Sequence, residues 1–193
     1  MAKMHEIAYS SAISTAAASE PVTAAEAKAF ARVDSSDDDT LFGTLIEAAR
    51  IAAQNWNQMQ LVNATWLLNM DEWPDVIEVP YNPLSSVTSI KYYDSAGSQQ
   101  TWSSDEYQID TSTRPGRIMP AYGYSYPTFR SQFKTIEVKY VAGFGADESY
   151  VPENFKLAIK FAIAAWYKDR EQIGLLPEVS KRLLEQEPSS VFT

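Results

Sequence analysis

The sequence predicts an α+β protein: a helical bundle built on two long helices, about 37–59 and 153–172, with a small antiparallel β region inserted between them. Two observations carry this. Apolar residues recur at helical spacing in both end segments, and the stretch between them changes to short alternating runs punctuated by proline. Leu41, Leu45, Ala48, Ala49, Ala52, Trp56 and Met59 form one stripe, and Phe155, Ala158, Ile159, Ala162, Ile163 and Trp166 form the other. Each stripe needs a partner, and each is the obvious partner of the other.

The chain divides accordingly into four parts. Residues 1–20 form a flexible N-terminal arm, 21–60 with 150–172 the helical body, 61–149 the β excursion, and 173–193 a C-terminal helix with a docking tail. The arm has scattered apolar positions and no signal-peptide core. Thr23-Ala24-Ala25-Glu26 then has capping-box form, so a short helix with Ala27, Phe30 and Ala31 on its apolar edge follows. Asp34-Ser35-Ser36 breaks it. Ser36 is the expected N-cap of the first long helix, where Asp37, Asp38 and Asp39 favour the positive end of the helix dipole.

The β excursion carries candidate strands at 65–70, 76–79, 87–93, 100–102, 106–109, 117–119 and 135–141. Asp94-Ser95-Ala96-Gly97 supplies a turn between the third and fourth. Tyr122, Tyr124, Tyr126 and Phe129 cluster around Gly123 and Pro127 on a loop, either as a partner-facing aromatic surface or as a lid folded over the sheet. Pro152 opens the second long helix at a position where its missing N–H costs nothing. The last segment places Val179, Leu183 and Leu184 at helical spacing, followed by Val191 and Phe192. These apolar residues either dock on a partner or fold back on the chain's own helices.

At 193 residues the chain suits one compact unit, or one core with a smaller satellite. The formal charge of −9 disfavours nonspecific phosphate binding. No apolar run is long enough for a membrane span. With no cysteine, thiolate metal sites and disulfides are excluded, in keeping with assembly in a reducing cytoplasm. The single histidine, His5, lies in the arm, so Ser/His catalysis is not credible. Asp37, Asp38 and Asp39 point in different directions on a helix and cannot converge on one ion. Asp71, Glu72 and Asp75 read as a solvated turn, and Gly143-x-Gly145 as the exit from a strand. Lys156, Lys160, Lys168 and Arg170 read as a solvated helix face. No catalytic, cofactor or metal residue is assigned.

The order of VTAAEAKAFARVD, LIEAARIAAQNW, VIEVPYNPLSSVTSIKYYDSAGSQQTWSSDEYQID, GRIMPAYGYSYP, VKYVAGFG and VPENFKLAIKFAIAAWYKDRE resembles the head-tail connector, or adaptor, family of tailed double-stranded DNA phages, prophages and gene transfer agents. The resemblance covers about 21–171. It implies a structural protein, not an enzyme, in the virion neck: a subunit of a dodecameric ring below the portal that extends the DNA channel and meets the next neck or tail protein. Its partners would be the portal protein, that next protein, further copies of itself, and double-stranded DNA sliding through without specific binding, with assembly in the bacterial cytoplasm and no membrane. Leu183, Leu184, Val191 and Phe192 are then candidate portal-docking residues, and Tyr122, Tyr124, Tyr126 and Phe129 a candidate partner-facing loop. Three other readings stay open: a different neck or tail-completion protein, a nucleic-acid-binding module using the aromatic loop with Arg114, Arg117 and Arg130, and a hydrolase using Asp71 or Asp75.

Overall fold

A computed structural model of the chain describes residues 9–186. It resolves into two compact units, one of residues up to 16 with 63–143, the other of 17–62 with the chain from 144 onward. We call them the β unit and the helical unit.

The β unit overturns the expectation of a helical bundle with a small β insertion. Eight strands in two antiparallel sheets stand against four helices among the described residues, and the β unit has a core of its own. The strands are β1 (Tyr9–Thr15), β2 (Ala64–Met70), β3 (Ile77–Glu78), β4 (Leu84–Tyr93), β5 (Gln99–Thr101), β6 (Tyr107–Asp110), β7 (Arg117–Pro120) and β8 (Ile136–Ala142). The larger sheet runs β1-β2-β8-β4-β5 and the smaller β3-β7-β6. The reason for the misjudgement is physical. Proline and turn residues keep each strand short, so no single run advertises a core, yet together they bury Trp66, Leu68, Ile90, Trp102, Ile118, Val138 and Tyr140.

Alternation is cleanest in the middle of the larger sheet. Along both β2 and β8 every second residue is buried, as a strand with one covered face requires. Val138 lies opposite Leu68 on one side and Ile90 on the other, which fixes the register. Beside this face Trp66 stacks on Tyr81 with ring centroids 3.8 Å apart. β1 comes from the stretch expected to be an arm, and pairs with β2 from Tyr9↔Met70 to Thr15↔Thr65.

The helical unit contains α1 (Ala24–Ala31), α2 (Asp39–Asn57), α3 (Glu153–Lys168) and α4 (Glu178–Glu185). The capping box of α1 forms as the sequence predicts: the Thr23 hydroxyl accepts from the Glu26 N–H, and the Glu26 carboxylate accepts from the Thr23 N–H at 2.8 Å. Ser36 is not the cap of α2; Asp38 holds that position, without a side-chain bond to the helix. The α3 stripe is buried as expected, with Trp166 donating its indole N–H to the Leu175 carbonyl at 2.8 Å. The α2 stripe is rotated. Phe42, Leu45, Ile46, Ala49 and Ala53 are buried, whereas Leu41, Ala48 and Ala52 are only half-covered and Trp56 is exposed.

Candidate interaction surfaces

Among the described residues no three acidic or histidine side chains cluster closely enough to hold a metal ion, and no helix is long and apolar enough to cross a membrane. Three of the acidic residues singled out in the sequence have structural tasks. Asp71 accepts from the Lys134 N–H at 2.7 Å and so pins the start of β8. Asp39 pairs with Lys28 across α1 and α2. Asp38 accepts from the Tyr167 hydroxyl. What the two units do present is apolar and aromatic surface.

In the β unit, the loop between β7 and β8 splits the four aromatic residues expected to act together. Ala121 accepts from the Tyr124 N–H at 2.9 Å, closing a turn that Gly123 enters at φ 85°. This turns Tyr122 and Tyr124 outward, into solvent. Tyr126 points the other way. It stacks on Trp73 with centroids 4.9 Å apart and planes at 15°, and lies 5.3 Å from the Trp102 ring. Burial, with the Asp75 carboxylate nearby as a second cause, pushes its hydroxyl up to about 12. Phe129 is half-buried, and Phe133 further along is exposed. The platform residue Trp73, whose indole N–H reaches the Pro127 carbonyl at 3.0 Å, was passed over in the sequence. Its signal was there: an indole inside an acidic Pro-containing turn has an apolar body that must be covered.

Two of the arginines considered for nucleic acid are placed by the same unit. Arg117 pairs with Asp110 at 2.7 Å, and its guanidinium, with Ser112, holds the Asp110 carboxyl well below the usual carboxylate range. Arg130 packs its guanidinium against Gly97 in the β4–β5 turn. Beside Arg117, a shallow concavity of about 270 Å³ is lined by Val76, Ile109 and Met119.

In the helical unit, α4 is held tightly. Leu184 is buried and Leu183 half-buried; their carbonyls accept from Asn57 and Asn154 at 3.0 Å each, and the Ser180 hydroxyl donates to the Ala158 carbonyl at 2.8 Å. Val191 and Phe192 lie outside the described residues. The exposed apolar and aromatic residues of this unit include Phe30, Ile51, Trp56, Tyr150, Ile173, Leu175 and Val179. Trp56 and Leu175 border a concavity of about 410 Å³, with the Lys181 ammonium 5.2 Å from the indole centroid. Of the lysines expected on a solvated face, Lys156 is largely buried, 3.0 Å from Glu153. Its charge, like that of Lys160, acts on Glu26, although the Thr23 N–H is the main reason that carboxyl is lowered.

In sequence, strands β2 to β8 of the β unit fall between α2 and α3 of the helical unit, and β1 precedes all four helices. This fold is shared with chains of known particles. The particular likeness is to structures from gene transfer agents. A chain in the virion of a native gene transfer agent particle superposes with a TM-score of 0.71 at 20% identity, over 90% of this chain and 92% of that one. A chain from the neck of an empty particle, computed with C6 symmetry, gives 0.69 at 20% identity over 90% and 94%. One from the neck of a native particle, computed with C12 symmetry, gives 0.61 at 22% identity over 82% and 84%. No protein-family model and no curated protein matches the sequence.

Proposed function

We propose that this chain is a structural subunit of the neck of a tailed, DNA-filled particle: a head-to-tail connector that forms a ring below the portal, extends the DNA channel and joins the capsid to the next neck or tail protein. The observation that carries the reading is the fold likeness to neck chains over nine-tenths of both partners' length, 90% and 94% for the empty-particle neck. The C6 and C12 symmetries of those necks support a ring of identical copies, twelve in the fullest form.

The residues fit a part of this kind. Rigid units with exposed aromatic and aliphatic patches suit a protein whose work is to be held between others. Tyr122 and Tyr124 offer contact area to the next neck protein, with Tyr126 and Phe129 as the footing of that loop. Leu183 and Leu184 anchor α4, so that the tail with Val191 and Phe192 is the portal-docking element. A net charge of −9 lets a duplex slide through without being gripped. In this role the chain is not an enzyme and takes no cofactor.

The test is the mass of the purified protein alone and after mixing with the portal of its own particle, by native mass spectrometry. Recruitment of a stoichiometric ring onto the portal is the expected outcome. Failure to associate at any salt concentration would overturn the connector reading, and steep salt-dependent DNA affinity would replace it with a nucleic-acid-binding role.

A further inference from the structure

β1 is the end strand of the larger sheet and, among the described residues, has β2 on one side alone. Free strand edges template the addition of another strand, and proteins usually blunt them with charge, proline, bulges or shortness. The far end of the same sheet is blunted in two of these ways: β4 is irregular at two points and β5 is three residues long. β1 has neither proline, glycine nor charge in YSSAIST, and its ladder is regular from Tyr9 to Ile13, with the irregularity only beyond it.

Its side chains continue a buried face into solvent. Tyr9, Ser11 and Ile13 lie across from Met70, Leu68 and Trp66, all three buried. Yet Tyr9 is 61% and Ile13 49% exposed. The apolar face of the sheet therefore runs off its own edge.

We propose that β1 pairs antiparallel with β1 of a second copy of this chain, about a two-fold axis at Ser11. The regular stretch Tyr9–Ile13 is self-complementary in that register. Tyr9 of each copy meets Ile13 of the other, an aromatic and β-branched pair of the kind that stabilises sheets, Ser10 meets Ala12, and Ser11 meets itself. Both exposed apolar side chains are then covered on the face they already share. Charge opposes this partner least at β1. Two copies at −9 each repel, and β1 lies in a run with no charged residue between Glu6 and Glu20, where they approach at least cost. Pairing of one short strand buries little area, so the dimer is weak and separable. It does not depend on the connector reading, since a closed ring of copies is built from a different, head-to-tail contact.

The chain has no cysteine, which makes cross-linking a direct test. Residues directly opposite in an antiparallel pair have Cα atoms about 4.5–5.5 Å apart, within disulfide reach, whereas diagonal ones lie about 7–8 Å apart. Under mild oxidation Ser11→Cys forms a disulfide dimer, Ser10→Cys alone does not, and an equal mixture of Ser10→Cys with Ala12→Cys gives the mixed dimer. In the unmodified chain, hydrogen exchange of the β1 amides slows as protein concentration rises. Equal cross-linking of Ser10→Cys and Ser11→Cys, or exchange in β1 that ignores concentration, would overturn the proposal. Slowed exchange without the Ser11→Cys dimer or the mixed dimer would overturn it too, by assigning the edge another occupant or register.

Discussion

The Tyr167 hydroxyl donates to Asp38 Oδ2 at 2.7 Å, tying the last turn of α3 to the first residue before α2, while the Tyr167 ring lies 5.0 Å from that of Phe42. Asp38 thus serves as the receiving end of a bond from a helix more than a hundred residues away in sequence. Tyr167→Phe keeps the ring and removes only this bond, so it lowers the stability of the helical unit. Urea denaturation of both proteins measures it as a lowered midpoint. An unchanged midpoint would mean that water replaces the bond fully.

Alkaline stability follows from buried tyrosines. The Tyr126 hydroxyl is raised to about 12, mainly by burial, and that of Tyr140 is raised further for the same reason. A group whose folded value lies above its unfolded value stabilises the fold at lower pH and loses that contribution as pH rises. Stability of the β unit therefore falls from about pH 10 upward. Tyr126→Phe removes part of this decline, which thermal melts at a series of alkaline pH values will register as a shallower slope.

Acid behaves in the opposite sense at the start of α1. The Glu26 carboxyl is lowered, first by the Thr23 N–H and then by the Thr23 hydroxyl and nearby lysines. Its contribution is present above the ordinary glutamate value of 4.5 and lost as pH falls through the lowered folded value. Glu26→Gln keeps a capping-box partner and removes only the charge, so it costs about 0.3–1 kcal/mol at neutral pH, and the gap to the unmodified chain closes in acid. Parallel melts at neutral and acid pH check both parts.

The aromatic loop should separate stability from contact. Tyr126→Ala strips the stack from Trp73 and uncovers Trp102, a loss of about 2–4 kcal/mol. Tyr122→Ala and Tyr124→Ala, at exposed positions, stay within about 0.5 kcal/mol of the parent in denaturation. If the loop faces a neck partner, the latter pair weakens binding to it while leaving the melting curve in place.

Gly143 sits at φ 139°, and a Cβ there would come within 2.6 Å of the Asn63 backbone. Backbone cannot swing aside as a side chain can. Gly143→Ala therefore costs about 1–3 kcal/mol, read as a lowered denaturation midpoint.

How far the sequence disclosed this molecule varies element by element. α3 was legible because its continuous apolar stripe coincides with its buried face: Phe155, Ile159, Ile163 and Trp166 are all buried, and Leu157 and Phe161 beside it are half-covered. α2 was misread in rotation because Leu41, Phe42, Leu45, Ile46, Ile51 and Trp56 surround more of the helix than a single partner can cover, and periodicity alone cannot choose between overlapping stripes. The strands between β2 and β8 were placed to within a few residues by proline and turn chemistry. Their assembly into two sheets was not, because pairing register depends on contacts distant in sequence. Tyr9–Thr15 escaped notice altogether, since Ser and Ala dominate it and only pairing with β2 makes it a strand. At the surfaces, Tyr122 and Tyr124 could be anticipated from loop chemistry, whereas the burial of Leu184 and the exposure of Leu175 depend on how α4 settles on its neighbours.

The order of strands in the larger sheet has a consequence for biosynthesis. β8 lies between β2 and β4 yet is made after both, so on the ribosome β2 can pair only with β1 and β4 only with β5 until residue 142 has emerged. α2 likewise waits for α3, which follows the whole β unit. Long-range pairing of this kind slows folding and leaves apolar edges open in the nascent chain. Synthesis of this protein thus runs through an interval in which the inner edges of β2 and β4 stand open, and the larger sheet closes last at its centre.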